Sequence, residues 1–260
     1  RLLSTASLPI DLDFEKNEVQ PVLLQARNLF SRSLGKVSDN PELDTDFVRN
    51  SFASGELALA NFITDAIPQR LDLIGHHVDL AMIDSSSLRK GLKPGQQVSF
   101  GDWFNVMPFA DTIRFYRITG KQLFDLLQDN AKRADRPNEP HTERGFLQFS
   151  HNLRYLISLN SCRSKAEALE IMINGRPITE QFENHFILAG TNFIREYANS
   201  WESLVDQHEN CSFVDLHKID YSDSEIFLRR ELVAFIQDKK EVTAETGAKL
   251  DGRLRIVDQT

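Results

Sequence analysis

Most of the parts that chemistry usually requires are missing from this chain. Cysteine is limited to Cys162 and Cys211, with no C-x-x-C pair and no histidine cluster beside them, so a zinc site is not expected. The two thiols read either as a pair in an oxidising compartment or as two free groups, and the sequence leaves both open. No apolar run approaches the roughly 18–20 residues that cross a bilayer. Positive charge is in deficit: a net charge of −8 argues against a general nucleic-acid binder, which would show a basic face. It leaves room for a small anionic ligand, because local arginines can oppose the global charge. There is no Gly-rich phosphate loop and no Gly-x-Ser-x-Gly nucleophile elbow. The seven histidines are scattered, with no Asp-x-His, Gly-Asn-His or His-x-His that would bridge two ions about 3.5–4 Å apart. His76 and His77 are the one cluster, and adjacent residues of a strand point opposite ways. Internal repeats and low-complexity tracts are absent too. Catalysis by this chain alone has no visible seat.

What is present reads as an ordinary soluble globular protein. The 260 residues are 41% hydrophobic and 26% charged, enough to bury a core as one large domain or two small ones. The first residue is Arg1 rather than Met, which reads as a processed or excised product, so a missing leader decides nothing about location. Residues 1–13 read as an extended linker and residues 14–36 as a connecting helix, with Pro21 near its start and Gly35 as its stop. Residues 37–260 then form the main domain. A second helix is expected over Glu56 to Ala66 with Ser54 as N-cap, and a buried strand over Val78 to Ile83. Thr112 to Ile118 alternates as a strand, and Thr119 with Gln122 forms a capping box for a helix over Lys121 to Lys132. Residues 133–144 read as a charged surface loop. Strands follow over Leu153 to Leu159, Leu169 to Ile173 and His185 to Ala189, with Asn174-Gly175 as a two-residue hairpin turn. Ser222 with Glu225 is read as the cap of a last helix carrying Leu228, Leu232, Phe235 and Ile236, and Leu254 to Val257 as a closing strand. Helices and strands interleave without a strict βαβ rhythm, so the expected class is α+β.

Two segments carry chemistry. From Val98 to Leu127 a Gly101-Asp102 turn leads into Met107-Pro108-Phe109, and Thr119-Gly120-Lys121 then opens a helix. An aromatic held on a rigid Pro-containing turn beside a sheet is a sensible place to stack a flat ligand. The other segment is a strand ending in Asp84-Ser85-Ser86-Ser87, where small residues admit a ligand and Arg89 can fork onto a phosphate or carboxylate. The plainer reading is a serine-rich turn with a solvated arginine. Likewise Phe109 and a later aromatic, Phe193, fit simple core packing in a chain with 18 phenylalanines.

Taken together the wording resembles the C-terminal, substrate-binding domain of the 5'-nucleotidase family, over about residues 13–257. The run Glu56 to Ala66 is similar to the family's Glu-(Ser/Thr)-Asn-Leu-Gly-Asn-Leu-Ile-x-Asp-Ala, with Val48-Arg49 just upstream. Phe100-Gly101-Asp102 and Asn105 to Phe109 resemble its most typical run. Gly145 to Ser150, Asn174 to Ile178 and Gly252-Arg253 follow in the family's order. The resemblance implies a layered α/β/β/α fold of mixed sheets with flanking helices. It also implies that residues 1–13 lead from a separate N-terminal metallophosphatase domain holding divalent metals of the Zn, Mn or Mg type, with no cofactor in this chain. Hydrolysis of nucleotide phosphoesters would then occur in that other domain, with this one binding the nucleotide or nucleoside and inactive alone. A periplasmic or extracellular location goes with the family.

By the same resemblance Phe109 and Phe193 stack the base, Arg49 and Arg89 reach phosphate or ribose, and Asp84 and Asn199 make polar ribose contacts. Departures are visible. Asp84 stands where the family's Asn-Gly-Gly-x-Ile-Arg has Asn, Ser85 to Ser87 cover its glycines, and Asn199 falls near the Asp of its Gly-Gly-Asp-Gly-Tyr. Those changes add charge and Cβ atoms where a ligand would approach. The alternative is therefore a diverged, non-catalytic ligand- or protein-binding module on the same fold.

Overall fold

The computed structural model describes residues 10–51, 55–134, 145–160, 165–194 and 216–258. A projecting helical segment comes first: a short turn α1 (Leu12–Phe14), a π-helical stretch (Glu15–Val19) and α2 (Gln20–Phe30). The expected connecting helix over 14–36 therefore begins earlier and stops at Phe30. Its last part is instead the strand β1 (Ser33–Val37), held by β3 (Gln97–Ser99) and β11 (Glu241–Val242) in a three-stranded sheet. Gly35 is not a helix stop; a Cβ there would meet the Lys240 carbonyl at 2.6 Å, so glycine permits the sheet to close. The apolar side chains of this segment, including Phe14, Val22, Leu24 and Leu29, remain exposed.

After α3 (Thr45–Ser51), the central helix α4 runs from Ala58 to Leu73, beyond the expected end at Ala66 and through Pro68. Its buried stripe continues with Ile67 and Leu71. Arg70 bonds Glu231 (Nη2–Oε2, 3.1 Å) and Asp238 (Nη1–Oδ2, 2.5 Å), anchoring the added turns. The helix α5 (Phe100–Val106) replaces the expected Gly101-Asp102 turn. Its signal was a capping box: Ser99 Oγ accepts the Asp102 N–H at 3.1 Å, and Asp102 Oδ2 accepts the Ser99 N–H at 2.9 Å. Phe62 of α4 joins α5 to α7 (Leu228–Lys239), its ring lying 5.9 Å from Trp103 and 5.5 Å from Phe235.

The centre of the fold is a mixed five-stranded sheet. Its order is β10 (Asp220–Phe227), β4 (Thr112–Thr119), β9 (His185–Thr191), β2 (Leu80–Asp84) and β5 (Leu147–Phe149). All pairs are antiparallel except β2 with β9, where Leu80 faces Leu188 and Ala81 faces Ala189. The strand β10 corrects the expected helix cap at Ser222 and Glu225. Those polar residues pair with β4 as an edge strand, Ser222 opposite Phe115, and the helix begins only at Leu228. Helix α6 (Gly120–Arg133) starts at the expected box, with the Gln122 N–H on Thr119 Oγ1 at 3.1 Å, and packs on β4 and on the strand Glu167–Ile173.

A four-stranded sheet, β12 (Leu254–Asp258), β6 (Leu153–Leu159), β7 (Glu167–Ile173) and β8 (Arg176–Pro177), completes an α+β fold of mixed sheets with flanking helices. Asn174 and Gly175 join β7 to β8 with φ of 51° and 73°, the left-handed pair that a tight hairpin turn demands. Among the described residues no helix is long and apolar enough to cross a membrane.

Candidate functional site

Strand register brings Asp84 and the chain next to Phe109 and Phe193 to one end of the sheet. Ile113 pairs with Thr191 and Phe227 with Thr112, while β2 runs parallel to β9 and Asp84 pairs with Leu147. Hence the ends of β2, β9 and β10 and the starts of β4 and β5 lie together. Ligands of open sheets commonly bind beyond the carboxyl ends of parallel strands. Here β2 and β9 supply that arrangement.

Phe109 follows α5 on the Met107-Pro108 turn. Met107 is buried but Phe109 is 41% exposed, so it is not a core residue. Phe193 leaves the end of β9 half-buried. Its neighbour Asn192 is tied to the start of β4, Oδ1 accepting the Thr112 N–H at 3.0 Å. Phe109, just before the start of β4, and Phe193, just after the end of β9, thus leave the same end of the antiparallel β4–β9 ladder, and neither ring is sealed in a solvent-free interior.

The basic residues sit on adjoining segments. Arg89 is exposed; Nη1 reaches the Ser86 carbonyl at 3.4 Å, and its backbone N–H bonds the Val106 carbonyl at 2.8 Å. That bond joins the loop after β2 to the end of α5. Arg49, half-buried on α3, belongs to the helix whose first residue, Thr45, accepts the Gly91 N–H at 3.1 Å. Asn199 lies outside the described residues.

Asp84 is placed differently from a ribose-binding residue. It is 1% exposed and caps the Ser85–Ser87 turn, accepting the Ser86 N–H at 2.9 Å and the Ser86 O–H at 2.7 Å. A direct ligand contact would require that turn to open. Burial lifts its carboxyl from 3.8 to about 6, against the Ser86 hydrogen bonds and the Arg133 charge, with Asp111 adding to the rise. A folded-state value above the unfolded one means the native protein binds this proton more tightly. Stability conferred by the site therefore falls as pH rises from about 4 to 6. Asp84→Asn keeps one of the two acceptors that Ser86 uses, turns the other into an amide that can donate to Ser86 Oγ, and removes the buried charge. It is expected to stabilise the protein by on the order of 2 kcal/mol at pH 8 and not at pH 3.5. Urea unfolding at both pH values checks this, and an equal gain at both would rule out the charge as its cause.

Pattern reading missed Asp111, Arg133 and Arg229, which the tertiary structure brings to this edge. Burial also raises the carboxyl of Asp111, with Arg229 opposing the rise. A groove of about 480 Å³ passes behind the Phe109 turn, lined by Phe100, Asp111, Phe227, Arg229 and Val233. A larger groove of about 1050 Å³ lies against α6 and β7 and shares no lining residue with this edge. It is broader, but it meets none of the converging groups, so the sheet edge is the better candidate. Among the described residues no group of three or more His, Cys, Asp or Glu could hold a metal ion.

Comparison with known proteins follows the same lines. The family described as "5'-nucleotidase, C-terminal domain" matches residues 33–205. The trifunctional nucleotide phosphoesterase protein YfkN of Bacillus subtilis (strain 168) is 24% identical over 258 residues, covering 96% of this chain and 16% of that protein. The fold is shared with the 5'-nucleotidase precursor from Thermus thermophilus, at TM-score 0.70 and 18% identity over 95% of this chain and 44% of that one. It is also shared with the NAD nucleotidase of Haemophilus influenzae, at TM-score 0.64 and 12% identity over 93% and 41% of the two chains. The present chain thus spans less than half of each of these proteins.

Proposed function

We propose, for a chain that belongs to the 5'-nucleotidase C-terminal domain family, that it recognises the nucleoside part of a nucleotide on behalf of a phosphoester hydrolase. The supporting observation is the convergence of Phe109, Phe193 and the Ser85–Arg89 loop at one sheet edge. Phe109 and Phe193 stack the base, and Arg49 and Arg89 meet ribose or phosphate. Asn199 supplies a further polar contact, and Asp84 acts through the serine turn it caps. Bond cleavage belongs to a separate N-terminal metallophosphatase domain, with two divalent ions of the Zn, Mn or Mg type. That pairing goes with a periplasmic or extracellular setting.

Calorimetric titration tests the reading directly. Adenosine and AMP are expected to bind, and Phe109→Ala to cost roughly 1–3 kcal/mol of that affinity. With Mn²⁺ or Zn²⁺ added, the chain alone is expected to release no phosphate from AMP; measurable release would place catalysis here and refute the proposal. The burial of Asp84 and Ser85 favours a second reading, a non-catalytic module for another ligand or a protein. A well-folded chain that binds neither adenosine nor AMP at millimolar concentration would select it.

A further inference from the structure

The Phe109 turn is held from the side by one residue of α7. Arg229 Nη1 donates to the Phe109 carbonyl at 3.1 Å. Its guanidinium carbon lies 4.7 Å from the centre of the Phe104 ring on α5, and its charge favours the ionised form of the half-buried carboxyl of Asp111. The backbone repeats the link: the Leu228 N–H bonds the Asp111 carbonyl at 3.0 Å. One planar cation therefore stacks on the helix before the turn, bonds the turn itself and acts through its charge on Asp111 beyond it. Phe104 is in turn supported by Phe30, 5.2 Å away.

We infer that Arg229 is a positioning residue for ligand stacking on Phe109, a role that rests on the nucleoside reading and adds a residue to it. An exposed ring on a turn loses conformational freedom when a ligand stacks on it, and that loss subtracts from affinity. Fixing the backbone of Phe109 beforehand reduces the loss. Packing does so only in part, because Phe109 is 41% exposed. Arginine suits the task because its flat fork can stack on a ring and hydrogen-bond in its own plane, which an ammonium group cannot do together. Arg229 touches no reacting atom and has no part in bond cleavage.

The test compares adenosine affinity of the native chain with Arg229→Met, which keeps the apolar stem over Phe104, and with Arg229→Lys. Methionine is expected to weaken binding about tenfold, and lysine to recover part of that loss. A 4-fluorophenylalanine placed at position 109 supplies a ligand-free readout. Its fluorine signal is expected to shift and sharpen in Arg229→Met while urea unfolding still reports a folded domain. Native adenosine binding with unchanged affinity and an unchanged fluorine signal in both variants would overturn the inference. No adenosine binding by the native chain would instead overturn the nucleoside reading; the fluorine signal would still decide whether Arg229 holds the turn. Loss of the fold in Arg229→Met alone would move the comparison to lysine, where native-like affinity and signal would count against the inference.

Discussion

Arg253→Met is expected to lower the free energy of unfolding by about 3–5 kcal/mol at neutral pH. Arg253 is 3% exposed and sits between two carboxylates. Its Nη1 and Nη2 reach Asp65 Oδ1 and Oδ2 at 2.9 and 2.8 Å, while Nε and Nη2 reach Asp251 Oδ1 and Oδ2 at 3.1 and 2.8 Å. A further bond to the Phe149 carbonyl at 3.2 Å ties the start of β12 to β5. Burial by itself would raise both acids. Hydrogen bonds from His151 and Arg253 outweigh it at Asp65, and those from Arg253, helped by its charge, outweigh it at Asp251. Both folded-state values therefore lie below the ordinary 3.8, so the stability they confer is present above that pH and lost as pH falls through the folded values. Methionine would leave two carboxylates without their cation, most costly when both are ionised. The deficit should shrink below about pH 4, where protonation removes the difference. A deficit of the same size at pH 7 and pH 3 in urea unfolding would show that lost packing, and not the ion pairs, is responsible.

Phe62→Ala is expected to cost a similar amount, about 3–5 kcal/mol, through a different cause. Phe62 is fully buried where α4, α5 and α7 meet, against Trp103 and Phe235. Truncation would leave a cavity bordered by three helices that are themselves fixed by other contacts. Arg70 binds α4 to Glu231, and the Ser99–Asp102 box fixes the start of α5, so the void has little means of closing. The cost should be insensitive to pH, unlike that at Arg253. Phe62→Leu, which refills most of the space, is expected to recover more than half of it. A loss under about 1 kcal/mol for the alanine variant, with an unchanged denaturant slope, would mean that the helices collapse into the gap.

The elements readable from sequence were those whose signals are local. The Thr119–Gln122 box, the Asn174-Gly175 turn and the strand from Leu153 to Leu159 each depend on a few adjacent residues, and each lies where expected. Strands whose reason for existing lies elsewhere in the chain were not readable. Ser33–Val37 and Asp220–Phe227 are polar or short, and partners more than sixty residues away make them strands. At Ser99 and Asp102 the capping box was not read, because Gly101 beside it suggests a turn. At the candidate site, Phe109 and Arg89 carry their own signals, a Pro-bearing turn and a basic residue after a buried strand. Arg229 carries none. Nothing near it in sequence announces that it bonds the carbonyl of Phe109, 120 residues earlier. The side-chain direction of Asp84 was equally hidden, because a carboxylate before three serines suits an inward cap as well as a ligand contact.

The edge that gathers Asp84, Thr112, Thr191 and Phe227 comes from four strands widely separated along the chain. Non-local pairing of this kind is slow to assemble, since the chain must close long loops before any contact rewards it. Helix α6 and the β7–β8 hairpin can form early from neighbouring residues, but the candidate site has no precursor until β9 and β10 have docked. If the proposed function holds, recovery of nucleoside affinity is expected to be the last step of refolding, later than the return of the helices.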